Sequence, residues 1–249
     1  MAWVESQSLS FAARHDDADV DAAARVLDDL EAFRVELEPL FERTPYDVTV
    51  VLHPRPLMLA LAQPWLPVAR LVAAPASRRY FCGWFSSREI HVLSPAALER
   101  RASGAPGSRR ALLRAARHEY AHVVVGANSR DLPPPFRPAA FARYLRWAWL
   151  AEGAATHLAG QVRHLRAAVV RRLHEGARPD FPPAPRDALL LGGTIFALLE
   201  HEAGPRAAAA LATRRLHGPP GALIGSAFGR PLASVERDWR DLLDSLRAG

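Results

Sequence analysis

The chain of 249 residues contains no lysine, one cysteine, one asparagine and two methionines. A single cysteine, Cys82, excludes an intramolecular disulfide framework and any CxxC metal site. No apolar run reaches the roughly 20 residues that a membrane-crossing helix needs, and the longest mostly apolar stretch, Ala188 to Leu199, falls well short. The N-terminal MAWVESQSLS lacks the basic-then-apolar order of a secretory signal. The cytoplasm is therefore the expected compartment, and no membrane association is expected. Without lysine, all 32 positive side chains are arginine, and the formal net charge is +6. These arginines are scattered rather than gathered into a basic run, and no aromatic RNA-binding signature accompanies them. The bias reads as GC-rich coding, so no nucleic-acid partner is expected.

What is present belongs to an ordinary globular protein. Hydrophobic residues make up 49% and charged residues 23%, which excludes long disorder, collagen and coiled coil. At this length roughly three quarters of the unfolded surface can be buried, so neither a disulfide nor a metal is required merely to fold. The first half reads as mixed α and β. Gln7 to Ala13 has strand character, and Val20 to Phe41 carries Val26, Leu27, Leu30, Phe33, Leu37 and Leu40 at helical spacing. Asp47 to Leu52 is a β-branched strand run. Pro54 to Leu71 predicts one or two short helices, and Tyr80–Phe85 with Glu89–Leu93 predicts a hairpin or two adjacent strands. Ser94-Pro95 is a helix start. RASGAPGS, Arg101 to Ser108, is the best boundary, dividing residues 1–107 from 108–249. Beyond it only helical patterns follow: Arg109–Val125, Pro138–Leu173, Arg186–Glu202, Pro205–Leu216 and Leu232–Leu246. Pro-rich breaks at Asp131–Pro138 and Pro179–Pro185 separate them.

One motif carries chemistry. His118-Glu119-Tyr120-Ala121-His122 is an HExxH sequence, which this composition would produce by accident about 0.02 times. Residues four apart share a helical face, so both imidazoles can reach one metal, while Glu119 is turned aside to meet a water. Neutral imidazoles suit zinc, and the adjacent carboxylate suits a general base. The flanking Tyr120, Ala121, Val123, Val124 and Val125 are apolar. A buried helix bearing two histidines and a glutamate needs partners for them, because unpaired buried polar groups cost a few kcal/mol each. A third ligand must come from elsewhere. The extended HExxHxxGxxH pattern fails, since Val125 and Asn128 occupy the glycine and third-histidine positions. The next candidate is Glu152 in Trp149-Leu150-Ala151-Glu152-Gly153-Ala154-Ala155, which has an ion pair with Arg146 as its plain alternative. Gly153 argues for a close approach, because glycine inside a helix costs roughly 1 kcal/mol.

HEYAH followed by WLAEGAA resembles the gluzincin metallopeptidases, in particular the peptidase MA-like proteins and the catalytic domains of aminopeptidase-type gluzincins. The resemblance extends weakly to Phe85–Leu93, similar to that family's substrate-side edge strand, and to GTIFALLEHEAG and ASVERDWRDLL near the C-terminus. It implies a zincin-like α+β fold, with a small N-terminal sheet, an active-site helix and a helical C-terminal subdomain. It further implies Zn2+ held by His118, His122 and Glu152, and Glu119 as the catalytic base. The function it implies is hydrolysis of peptide bonds through a metal-activated water, with a peptide or protein as substrate. The chain departs from the pattern at Leu190, three residues before Gly193, where an oxyanion-stabilising Tyr is expected. His157, Tyr144 and His91 are the substitutes at hand. That departure motivates the alternative, a catalytically weak or inactive zincin-fold protein that binds a peptide or protein in its cleft.

Other residues have plainer readings. His201-Glu202 has Pro205 where a second histidine would stand. His157 and His164 share a face on an Arg-rich stretch. Cys82 reads as a small core residue, and Asp16, Asp17, Asp19 and Asp21 as an acidic helix start rather than a calcium loop.

Overall fold

A computed structural model describes residues 2–132 and 138–248, so the Pro-rich break at Asp131–Pro138 lies mostly outside the described residues. The protein is α+β, a small mixed sheet followed by helices. Strands β1 (Trp3–Gln7) and β2 (Phe11–Asp16) form an antiparallel hairpin. Helix α1 (Val20–Leu37) then returns the chain to β3 (Val48–His53), parallel to β2. The sequence predicts one strand over Gln7–Ala13. Instead the chain turns there, with the Ser8 amide donating to the Phe11 carbonyl at 2.8 Å, so the predicted strand straddles two real ones.

Two short helices, α2 (Pro56–Ala62) and α3 (Trp65–Val72), precede β4 (Gly83–Phe85) and β5 (Glu89–Leu93). The sheet order is β1-β2-β3-β5-β4. β5 inserts parallel to β3, and β4 folds back antiparallel to β5 as an outer strand. Of the segment Phe85–Leu93, expected as an edge, the β5 part is therefore interior. The edge on that side is β4.

Helix α4 (Pro95–Arg101) leads to α5 (Ser108–Leu113) and α6 (Ala115–Asn128), with a break at Arg114 inside what reads as one helix. Helix α6 is covered nearly all round. Tyr120 packs edge-on to Phe11 and Phe33 and donates to the Pro45 carbonyl at 2.7 Å, while Arg117 ties α6 to Asp29 and Glu36 of α1. Its other sides meet β4, β5 and the next long helix but one.

The predicted stretch Pro138–Leu173 is three helices: α7 (Pro138–Arg146), α8 (Ala148–Leu158) and α9 (Arg166–His174). A π-helical turn, Ala188–Gly192, opens α10 (Gly193–Ala203), and α11 (Pro205–Ala212) follows. α12 (Pro220–Phe228), which has no counterpart in the sequence reading, precedes α13 (Leu232–Ala248). One apolar cluster runs from Phe11 and Leu27 through Tyr120 and Trp149 to Trp239 and Leu243. No helix of the described residues is long and apolar enough to cross a membrane.

Candidate metal centre

Helix α6 presents His118 and His122 one turn apart, and α8 crosses it carrying Glu152. All three side chains are buried, Glu152 at 4% exposure. The His118 and His122 Nε2 atoms lie 3.2 Å apart, and each is 3.4 Å from a Glu152 carboxylate oxygen. Among the described residues these three form the one group whose donor atoms converge as metal ligands do. An ion with tetrahedral bonds of 2.0–2.1 Å spaces its ligands about 3.3–3.4 Å apart. Each imidazole stands at about that spacing from its own Glu152 oxygen, His118 from Oε2 and His122 from Oε1, and the candidate ligand atoms all lie within 4.8 Å of one another. The alternative partner for Glu152, Arg146, makes no ion pair with it and instead reaches the Gly218 carbonyl at 3.4 Å.

A residue that the sequence reading missed holds the first imidazole. Gln161, buried beyond the end of α8, donates through Nε2 to the Ala111 carbonyl at 2.8 Å. That bond fixes the amide so that Oε1 faces His118 Nδ1 at 2.9 Å. The Nδ1 proton is spent there, leaving the Nε2 lone pair for a cation. His122 is oriented differently, with its ring stacked on Phe85 of β4 at 4.2 Å between centroids. A lone glutamine in a loop gives no sequence signal, and Phe85 signals only a strand.

Glu119 is buried against β4. A methyl group at Gly83 would lie 2.6 Å from the Glu119 Cγ and 2.8 Å from its Cδ, so the strand passes the carboxylate only because residue 83 has no side chain. Burial pushes the Glu119 pKa up to about 8, and the nearby His118 only partly offsets this. Glu152 behaves oppositely. Burial acts to raise it, but hydrogen bonds from His118 and His122 prevail and hold it well below the usual carboxylate range. The same partner raises the His118 pKa against the pull of burial, whereas for His122 burial wins and the pKa falls.

Of the three substitutes for the expected tyrosine, only Tyr144 reaches the centre. It lies buried on α7 and donates its hydroxyl to the Glu152 carboxylate. His157 is engaged with Glu200 at 2.8 Å and stacks on Phe196. His91 is held between His53 and Glu89, with its Nδ1 2.9 Å from His53 Nε2. Leu190 lies in the π-helical turn and is 2% exposed, a core residue.

Gly153 does serve a close approach, but not toward α6. A side chain there would collide with the Gly192 backbone at 2.6 Å, and one at Gly192 would strike the Trp149 carbonyl. Two glycines therefore let α8 and the π-helical turn touch backbone to backbone. No protein-family profile, curated protein or solved structure matches the chain.

Proposed function

We propose that the protein is a zinc-dependent peptidase of the gluzincin type with a zincin-like fold. The observation that carries this reading is the buried cluster of His118, His122 and Glu152, whose candidate ligand atoms lie within 4.8 Å of one another, with Glu119 beside it. His118 and His122 would hold the ion through Nε2 and Glu152 through its carboxylate. Zinc held there would polarise a scissile carbonyl and lower the pKa of water near it. Glu119 accepts the proton of the attacking water and returns it to the departing amine. Its carboxyl ionises more readily once a cation is held in the adjacent triad, because an opposite charge favours the charged form. Outer strand β4, whose Phe85 already touches His122, supplies the backbone edge along which a peptide would lie.

One observation favours the second reading, a zincin-fold binder without turnover: Leu190 is a buried aliphatic residue and offers no proton to an oxyanion. The two readings separate in one experiment. Elemental analysis should find one zinc per chain, and a broad peptide library should be cleaved in a chelator-sensitive, zinc-restored manner. Glu119→Gln should keep zinc and fold while losing about 10²–10⁴-fold in rate, because an amide cannot accept the proton. Zinc binding with no cleavage by the wild type establishes the binder, and a metal-free protein removes both readings.

A further inference from the structure

The side chains that the core leaves uncovered include a ridge on α2 and α3. Leu57 is 68% exposed, Leu61 76% and Leu71 78%, with Val68 and Val72 at 40% each. Leu57 and Leu61 are four residues apart and share one face of α2. Val68, Leu71 and Val72, three and four apart, share one face of α3. The packed sides of these helices are elsewhere, at Leu59, Leu66 and Ala69. Aliphatic residues exposed in this concentration mark a surface that something covers.

The segment that carries the ridge is itself cationic, although the Glu175 carboxylate accepts from the Ala76 amide at 3.2 Å and Asp47 pairs with Arg88. Residues Val48 to Arg88 include five arginines and no Asp or Glu. α4 adds Arg100, whose guanidinium reaches the Pro54 carbonyl at 3.3 Å and so stands beside Arg55 at the start of α2. At the other end, Arg78 donates to the Ala73 carbonyl at 3.1 Å, next to Leu71 and Val72. Arg101 binds the carbonyls of Arg78 and Arg79. None of Arg55, Arg78, Arg79, Arg100 and Arg101 forms an ion pair with a described residue. Carbonyl oxygens satisfy some of their donors but leave the charge uncompensated.

We infer that α2 and α3 form a docking surface for an anionic lipid bilayer. The helices lie in the interface, with Leu57, Leu61 and Leu71 among the upper acyl chains and Arg55, Arg78 and Arg100 at the phosphates. The aliphatic ridge decides against a nucleic acid, which gives arginines a partner but exposed leucines none. The surface does not depend on the peptidase reading. Nor does it conflict with the lack of a spanning helix, since it needs only to rest on the membrane.

Vesicle flotation of the purified full chain tests the inference. Vesicles of equimolar phosphatidylglycerol and phosphatidylcholine should carry the protein upward, those of phosphatidylcholine alone should not, and added salt should weaken the effect. Leu61→Ser and Leu71→Ser should each weaken binding about tenfold, and Arg78→Gln and Arg100→Gln about fivefold each. Unchanged thermal melts verify that these exposed substitutions leave the fold intact. Failure to float with anionic vesicles overturns the inference. So does flotation that the leucine variants retain, which is the generic attraction of a cationic chain. A ridge variant that changes oligomeric state but not flotation assigns the ridge to a second copy instead.

Discussion

At the scale of single residues, the candidate centre depends on two positions with no chemistry of their own. Gln161 fixes the His118 tautomer through a relay to the Ala111 carbonyl. Gln161→Ala should therefore weaken zinc binding about 10–100-fold while leaving the three ligands in place, as competition with a chelator of known affinity would read. Unchanged affinity would show that the imidazole is oriented by packing alone. Gly83 gives Glu119 its room. Gly83→Ala should keep the zinc content of wild type but lose catalysis to an extent approaching that of Glu119→Gln, about 10²-fold or more. Equal loss of zinc and of rate would mean that the substitution disturbs α6 as a whole. HExxH and Glu152 were legible in the sequence because their logic is local, a spacing on one helix and a carboxylate in an apolar turn. Gln161 and Gly83 were not, because their roles exist only once α8 and β4 are laid against α6.

At the scale of elements, the crossing of α8 and the π-helical turn fixes where Glu152 stands. Its backbones meet at Gly153 and Gly192, and added methyl groups have nowhere to go. Gly153→Ala should cost about 1–3 kcal/mol through overpacking, although alanine has the better helix propensity. The melting temperature should fall by roughly 2–12 °C, measured by circular dichroism. A rise would show that the crossing yields easily. Leu190 lies in that turn. The tyrosine that does approach Glu152 comes from α7, a neighbour that no local spacing could reveal. Elements with strong periodicity, such as α1, were legible. β1 and α12 were not, since a mostly exposed edge strand and a short Gly- and Pro-bearing helix carry weak patterns.

For the whole molecule, the division into a mixed first half and a helical second half was visible, because the β-branched run beyond Leu93, Val123–Val125, continues a segment of helical spacing. The sheet order was not, since the insertion of β5 between β3 and β4 is a long-range pairing. That pairing also brings His53 and His91 together at 2.9 Å. Burial and the neighbouring His91 lower the His53 pKa from its ordinary 6.5 to about 4, and burial lowers that of His91 too. Between those two values the unfolded chain binds the proton that the folded chain refuses. The contribution of His53 to stability is thus full above about pH 6.5 and declines as the pH falls toward 4, opposite in sign to that of Glu119, whose raised pKa costs stability as the pH rises toward 8. Melting temperatures at pH 7 and pH 5 isolate this contribution by comparison with His53→Gln, which should make the value at pH 7 minus that at pH 5 less positive than in the wild type. An unchanged slope would place the acid sensitivity elsewhere.

The contact between Gly83 and Glu119 has a mechanical side. β4 is the outer strand, so on the proposed reading a peptide that pairs with it would pull on the very backbone that confines Glu119. Grip on the chain and readiness of the proposed base would then be one motion, and a ligand too short to engage β4 would leave Glu119 at rest.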